Sequence, residues 1–280
     1  MKTNHNHMQT KNLNKDMTCP ICHSSEISDY LELYRCKICT HMFSKNIHDD
    51  DYWQDLYENK YNVIHRKHDE KRKQMYKQEV KWISKSKKLE GTFLDVGCAH
   101  GDFFSFLPKE MKKTGMDLST QVIEDAKKLH PDCEFHKTNI FEFIDKNKFN
   151  FIQFRGVLQH SVDPVNNLKY AINLLEKDGV IIITSLPDFS SLASKFYKRN
   201  FGFYAPKLSP HFFTKKSFLF MLQSLGLKVL AYDSPYLKTP YANLPKDLLL
   251  FFINKFRNKT NPPFFGNVKN YIVGLDHSAD

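Results

Sequence analysis

From Gly91 onward, short apolar runs alternate with amphipathic stretches, and that alternation limits what the chain can fold into more than any other feature. Runs suited to strands fall near 92–96, 114–117, 134–137, 149–154, 179–185, 227–233 and 269–275, with helical spacing over 102–112, 119–129, 163–176 and 214–225. This order predicts an α/β fold, a doubly wound and mostly parallel sheet covered by helices on both faces. Two connections, 186–213 and 234–268, are longer than turns, and insertions of that length after strands commonly form lids or binding loops. The second carries LPKDLLLFFINKFRNK, an apolar helix with a basic end, which packs over a site, pairs with a second copy, or seats on a membrane surface.

Ahead of this region lie two cysteine pairs, Cys19-Pro-Ile-Cys22 and Cys36-Lys-Ile-Cys39, separated by thirteen residues of hairpin-like sequence. A hairpin brings such pairs together as a tetrahedral four-sulfur site, which suits structural zinc. The expected organisation is therefore a polar tail over 1–17, a zinc ribbon over 18–45, a helical linker over 46–90 and the main domain over 91–280. In the linker Tyr52, Leu56, Tyr76, Val80 and Ile83 recur at roughly helical spacing, and the basic run from Arg66 to Lys88 reads as a mostly solvated helix face. No apolar stretch approaches the roughly 20 residues of a membrane span, and the N-terminus has no apolar signal region, so a cytoplasmic protein is expected. In a reducing compartment six cysteines point to metal binding or packing rather than disulfides.

The richest chemical signal is TFLDVGCAHGDFFSFL, residues 92–107. An apolar strand ends at Asp95, turns through Gly97, Cys98, Ala99 and Gly101, and enters a helix; the small residues admit close approach of a ligand to the backbone. GMDLS places Asp117, followed by Leu118, at the end of the second strand, where a carboxylate can accept from both hydroxyls of a ribose. After the third strand, Asn139 can bond an adenine amino group and Ile140 can pack on the ring. A nicotinamide-binding domain uses a similar turn, but the full GxGxxG spacing is absent.

With FNFIQFRGVLQHSVDP (149–164) and LLEKDGVIIITSLP (174–187), these motifs in succession resemble the class I S-adenosylmethionine-dependent methyltransferases over roughly residues 90–235. The resemblance implies a Rossmann-like seven-stranded sheet with its last strand antiparallel. It also implies S-adenosylmethionine as cofactor, with Asp95, Gly97, Cys98, Ala99 and Gly101 lining its methionine end, Asp117 and Leu118 at the ribose, Asn139 and Ile140 at adenine, and Arg155 as a further cofactor-binding residue. Ala99 stands where the family often has Gly, and Asn139 where Asp is common. Cys98 is expected to pack beside the cofactor and Cys133 to be structural.

A cysteine ribbon ahead of a DYWQDLYENKY-type segment, and the stretch SPHFFTKKSFLFMLQSLGLKV (209–229), are similar to methyltransferases of sugar and surface-polysaccharide biosynthesis. The expected acceptor is a small sugar-type molecule, free or carrier-linked, methylated on oxygen. The rival is an RNA methyltransferase that grips RNA with the ribbon. The net charge of +10 suits any anionic partner, yet the ribbon mixes Glu26, Asp29 and Glu32 with Arg35, Lys37 and Lys45, so no basic stripe runs along it. For the acceptor's proton the candidates are His211, ranked first because it follows a Pro-bounded loop beside Tyr204, and His160, which also reads as a residue holding its turn. The sequence leaves the oligomeric state open.

Overall fold

A computed structural model describes residues 17–45, 52, 69–144, 147–237 and 239–276. The tail and most of the linker before residue 69 lie outside the described residues.

The cysteine segment forms β1 (Ile27–Tyr30), β2 (Leu33–Cys36) and β3 (Met42–Ser44), an antiparallel meander. The helix α1 (Asp69–Ser86) follows and leads into β4 (Thr92–Val96). Beyond it come β5 (Lys112–Asp117), α2 (Thr120–Leu129), β6 (Glu134–Lys137), β7 (Phe149–Arg155), α3 (Pro164–Leu174) and β8 (Leu175–Pro187). The remaining elements are α4 (Leu192–Tyr197), β9 (His211–Phe212), α5 (Lys215–Ser224), β10 (Leu227–Asp233), α6 (Leu244–Phe256) and β11 (Val268–Leu275).

Seven strands make the main sheet in the order β10-β11-β8-β7-β4-β5-β6, with β11 antiparallel to both neighbours and β4 to β8 parallel. Its central strands are buried on both faces, which is why the middle of β8, Val180 to Ile183, reads as an unbroken apolar run rather than as an alternating one. Helix starts are set by side chains that satisfy free N–H groups: Ser119 caps α2, Asp163 caps α3 just before Pro164, and Thr214 with Ser217 forms a capping box on α5.

Two expectations are corrected. The helix over 102–112 is only a 3-10 turn at Asp102–Phe106. Pro108 pushes Leu107 into an extended conformation (φ −82°, ψ 153°), the helix stops, and β5 starts early at Lys112. The ribbon is also not separate, because β9, from the insertion after β8, pairs antiparallel with β3 and becomes the fourth strand of its sheet. Leu33 and Met42 of the ribbon share a core with Phe189, Tyr197, Phe201 and Phe212 of the insertion and Phe251 of α6. A ribbon with strands of only three or four residues has little core of its own, so this packing supplies it.

Candidate functional site

The segment after β4 turns sharply at the carboxyl edge of the sheet. Gly97, Ala99 and Gly101 all have positive φ, at 74°, 48° and 73°. A Cβ on Gly97 would stand 2.6 Å from the Val157 side chain, and one on Gly101 2.8 Å from the Phe135 ring, so glycine is required at both on steric and conformational grounds. Asp117, ending the neighbouring strand, accepts from Ala99 N–H at 3.0 Å on Oδ2 and from Ser119 N–H at 3.1 Å on Oδ1. One carboxylate thus braces the turn and the start of α2, while burial raises its pKa. Leu118 beside it is half-buried.

Asp95 is buried and accepts from Gln153 Nε2 at 3.3 Å. Burial lifts its pKa to about 7 against the opposing pull of Gln153 and Arg155, with Asp117 and Glu79 adding to the rise. Gln153 Oε1, Thr184 Oγ1 and Gln159 Oε1 are buried without a hydrogen-bond partner among the described residues. Unpaired polar atoms on β7, on β8 and in the turn after β7, near a cradle that admits no Cβ, are what a site shaped for a polar ligand leaves when only the protein is considered.

The other expected cofactor residues divide. Cys98 is buried, with its thiol pKa raised by burial, and its sulfur would stand 2.7 Å from a Cβ on Gly115, so it is a packing residue. Ile140 is buried in the main core. Asn139 Oδ1 already accepts from Phe141 N–H at 2.9 Å and Glu142 N–H at 3.0 Å, so both its lone pairs serve the loop and an adenine amino group would find neither. Arg155 is held by Glu79 of α1, Nε to Oε2 at 2.8 Å and Nη2 to Oε1 at 3.2 Å, with the guanidinium 4.6 Å from the centre of the Tyr76 ring. Burial alone would lower the Arg155 pKa, but Glu79 keeps it raised. The sequence reading missed Glu79, which is 3% exposed. The available signal was its place on the same helix face as Tyr76, Val80 and Ile83.

His211 and Tyr204 are corrected as candidates facing an acceptor, because both stand in the seam with the ribbon. His211 is fully buried, with Nε2 3.2 Å from the Val162 carbonyl and Nδ1 3.1 Å from His41 Nε2. A carbonyl only accepts, so His211 Nε2 carries the proton and Nδ1 accepts from His41. Burial brings the His211 pKa down to about 4. With both nitrogens engaged, it has no position from which to take an acceptor's proton. Tyr204 Oη accepts from Glu32 N–H at 3.3 Å, on the ribbon. His160 lies in a hydrogen-bonded turn after β7, with Nδ1 2.7 Å from the Leu208 carbonyl and 3.1 Å from Ser209 Oγ. The pull of burial lowers its pKa, so the ring is neutral near pH 7.

The four ribbon cysteines converge: all their Sγ atoms lie within 4.8 Å of one another, with Cys19–Cys39 and Cys22–Cys36 each at 3.5 Å. The contact with Cys39 lowers the Cys19 thiol pKa to about 5 and raises that of Cys39, so the cluster favours a thiolate ready to bind a metal ion.

A family described as a methyltransferase domain matches residues 68–232, more than half of the chain. The trans-aconitate 2-methyltransferase of Enterobacter sp. (strain 638) is 30% identical over 98 residues, 34% of this chain and 38% of that protein. The ubiquinone biosynthesis O-methyltransferase of Actinobacillus pleuropneumoniae serotype 7 (strain AP76) is 27% identical over 104 residues, 33% of this chain and 44% of that protein. The chain therefore matches less than half the length of either relative. Among solved structures, the plantazolicin methyltransferase BpumL in complex with SAH superposes with a TM-score of 0.55 at 15% identity, covering 81% of this chain and 94% of that one, a likeness of fold.

Proposed function

Because the chain belongs to the methyltransferase-domain family, we propose that it is a cytoplasmic enzyme transferring a methyl group from S-adenosylmethionine to an oxygen of a small molecule. We assign the acceptor to sugars or sugar-derived intermediates of polysaccharide biosynthesis, free or carrier-linked. The observation that carries the cofactor assignment is the glycine turn after β4, braced from the next strand by Asp117. When bound, S-adenosylmethionine supplies the reactive methyl on a sulfonium centre.

The protein's own part is to bind, orient and manage a proton. Asp117 offers carboxylate lone pairs to the ribose hydroxyls. Gly97 and Gly101 let the backbone approach the methionine end, and Asp95 stands beside it as a buried carboxyl. Asn139, with Oδ1 committed to its loop, contributes Nδ2 as a donor towards an adenine ring nitrogen. Arg155, oriented by Glu79, holds one guanidinium geometry at the end of β7. His160 replaces His211 as the assigned base, since it stands in the turn that follows β7 at the carboxyl edge of the sheet, with its ring oriented by the Leu208 carbonyl. The cysteine cluster is assigned to a structural zinc ion. Zinc–sulfur bonds of about 2.3 Å put tetrahedral sulfurs roughly 3.8 Å apart, within the spread found here.

Binding of the cationic cofactor should be linked to the ionisation of Asp95. With a pKa of about 7 in the free protein, the carboxyl is half protonated at neutral pH, and a neighbouring cation favours the ionised form. Affinity should therefore weaken up to about tenfold per pH unit below 7 and level off above it, with proton release on binding. Calorimetry between roughly pH 5.5 and 8 in buffers of different ionisation enthalpy reads both quantities. Asp95→Asn should remove this dependence. A flat profile in the wild type, or the same slope in Asp95→Asn, would contradict the placement of the cofactor's cationic end.

A further inference from the structure

The helix α6 buries Asp247 and Phe251 and leaves an apolar face uncovered: Leu249 is 64% exposed, Phe252 57% and Phe256 88%. The face continues onto α4, where Leu192 is 63% exposed and Phe196 stacks on Phe251 at 5.4 Å. Lys255 lies 5.2 Å from the Phe196 ring, joining the two helices at their polar margin.

The two insertions that carry this face are one-sided in charge. Residues 188–213 and 234–268 hold nine lysines and arginines against two acids, Asp188 and Asp247. Both acids are buried, and Asp247 is taken up by Tyr236 Oη and Asn243 N–H, each at 2.8 Å. Lys195 and Lys198 border the α4 end, Arg199 beside them faces Glu32 of the ribbon at 3.8 Å, and Arg257 and Lys259 are exposed beyond α6. Most of the molecule's formal excess of +10 therefore comes from these two insertions.

We propose that the α4–α6 face seats on an anionic lipid bilayer. Exposed aromatic and leucine side chains flanked by lysines form an interfacial surface, in which apolar groups enter the acyl boundary and cations meet acidic headgroups. A helix of thirteen residues is about 20 Å long, too short to span and suited to lie in the plane. Two copies meeting through this face would bring like charges together, which disfavours a homodimer there. Both insertions leave the carboxyl ends of their strands, β8 and β10, the sheet edge that also holds the glycine turn. Docking would thus place that edge against the membrane, where an acceptor carried on a lipid would be presented.

The test is co-sedimentation of the full chain with phosphatidylcholine vesicles, with and without about 30% phosphatidylglycerol, at low and high salt. Wild-type protein should pellet with the anionic vesicles at low salt and be released at high salt. The triple variant Leu249→Ser, Phe252→Ser, Phe256→Ser and the double variant Lys255→Glu, Arg257→Glu should each bind at least about tenfold more weakly. S-adenosylmethionine binding by the variants, unchanged, shows that they fold and separates this result from the cofactor assignment. No pelleting with anionic vesicles, undiminished binding in both variants, or a wild-type dimer that the triple variant abolishes would overturn the proposal.

Discussion

Asp117→Ala is expected to weaken S-adenosylmethionine binding at least about 100-fold. Each hydrogen bond to a charged group contributes roughly 1.5 to 3 kcal/mol, and the ribose contact uses two. The structure adds a second loss. The same carboxylate accepts from Ala99 and Ser119 N–H groups, so its removal frees the turn whose left-handed residues form the cradle. Asp117→Asn keeps one oxygen for the backbone and should fall between wild type and Ala. Calorimetry on folded variants checks this, and an unchanged dissociation constant in Asp117→Ala would remove β5 from the cofactor site.

The double substitution Cys19→Ser, Cys22→Ser has the other large effect, and it reaches beyond the ribbon. Half of the thiolates are gone, so zinc should fall from about one per chain to near zero, and the metal's contribution to folding goes with it. Because β9 is paired with β3, and Thr40 Oγ1 bonds Thr214 Oγ1 at 2.7 Å, the insertion and the cap of α5 lose their neighbour too. Phe212 and Phe213, now buried, would be exposed. Limited proteolysis should cut within 17–45 and 188–213, and methyl transfer should be lost while the turn after β4 still takes up S-adenosylmethionine. Iron in place of zinc in the wild type, or a double variant that retains metal and resists protease, would refute the assignment.

The parts of this molecule that were legible in its sequence are those encoded locally. Strand runs, the glycine turn, Asp117 and the paired cysteines depend on neighbours a few residues away, and all stand where the spacing puts them. The 3-10 turn at Asp102–Phe106 was readable as well, had Pro108 been given its weight against Leu107. His211 was not readable: its burial comes from pairing with β3, about 170 residues earlier, and two residues give no strand periodicity. Glu79 was hidden differently, as one acid in a basic stretch that looks solvated, though its ion pair with Arg155 is among the best buried contacts near the site.

Methyl transfer from S-adenosylmethionine to a small molecule can be followed through the methyl group itself. Purified protein with zinc bound is incubated with methyl-labelled S-adenosylmethionine and cell extract separated into low-mass sugars and sugar nucleotides, lipid-linked saccharides, polysaccharide and RNA. Label is expected in a sugar-containing fraction, free or lipid-linked, resistant to ribonuclease and absent with Asp117→Ala. Label that enters RNA and is released by ribonuclease, or no transfer to any fraction by a protein that binds the cofactor, would contradict the proposed function.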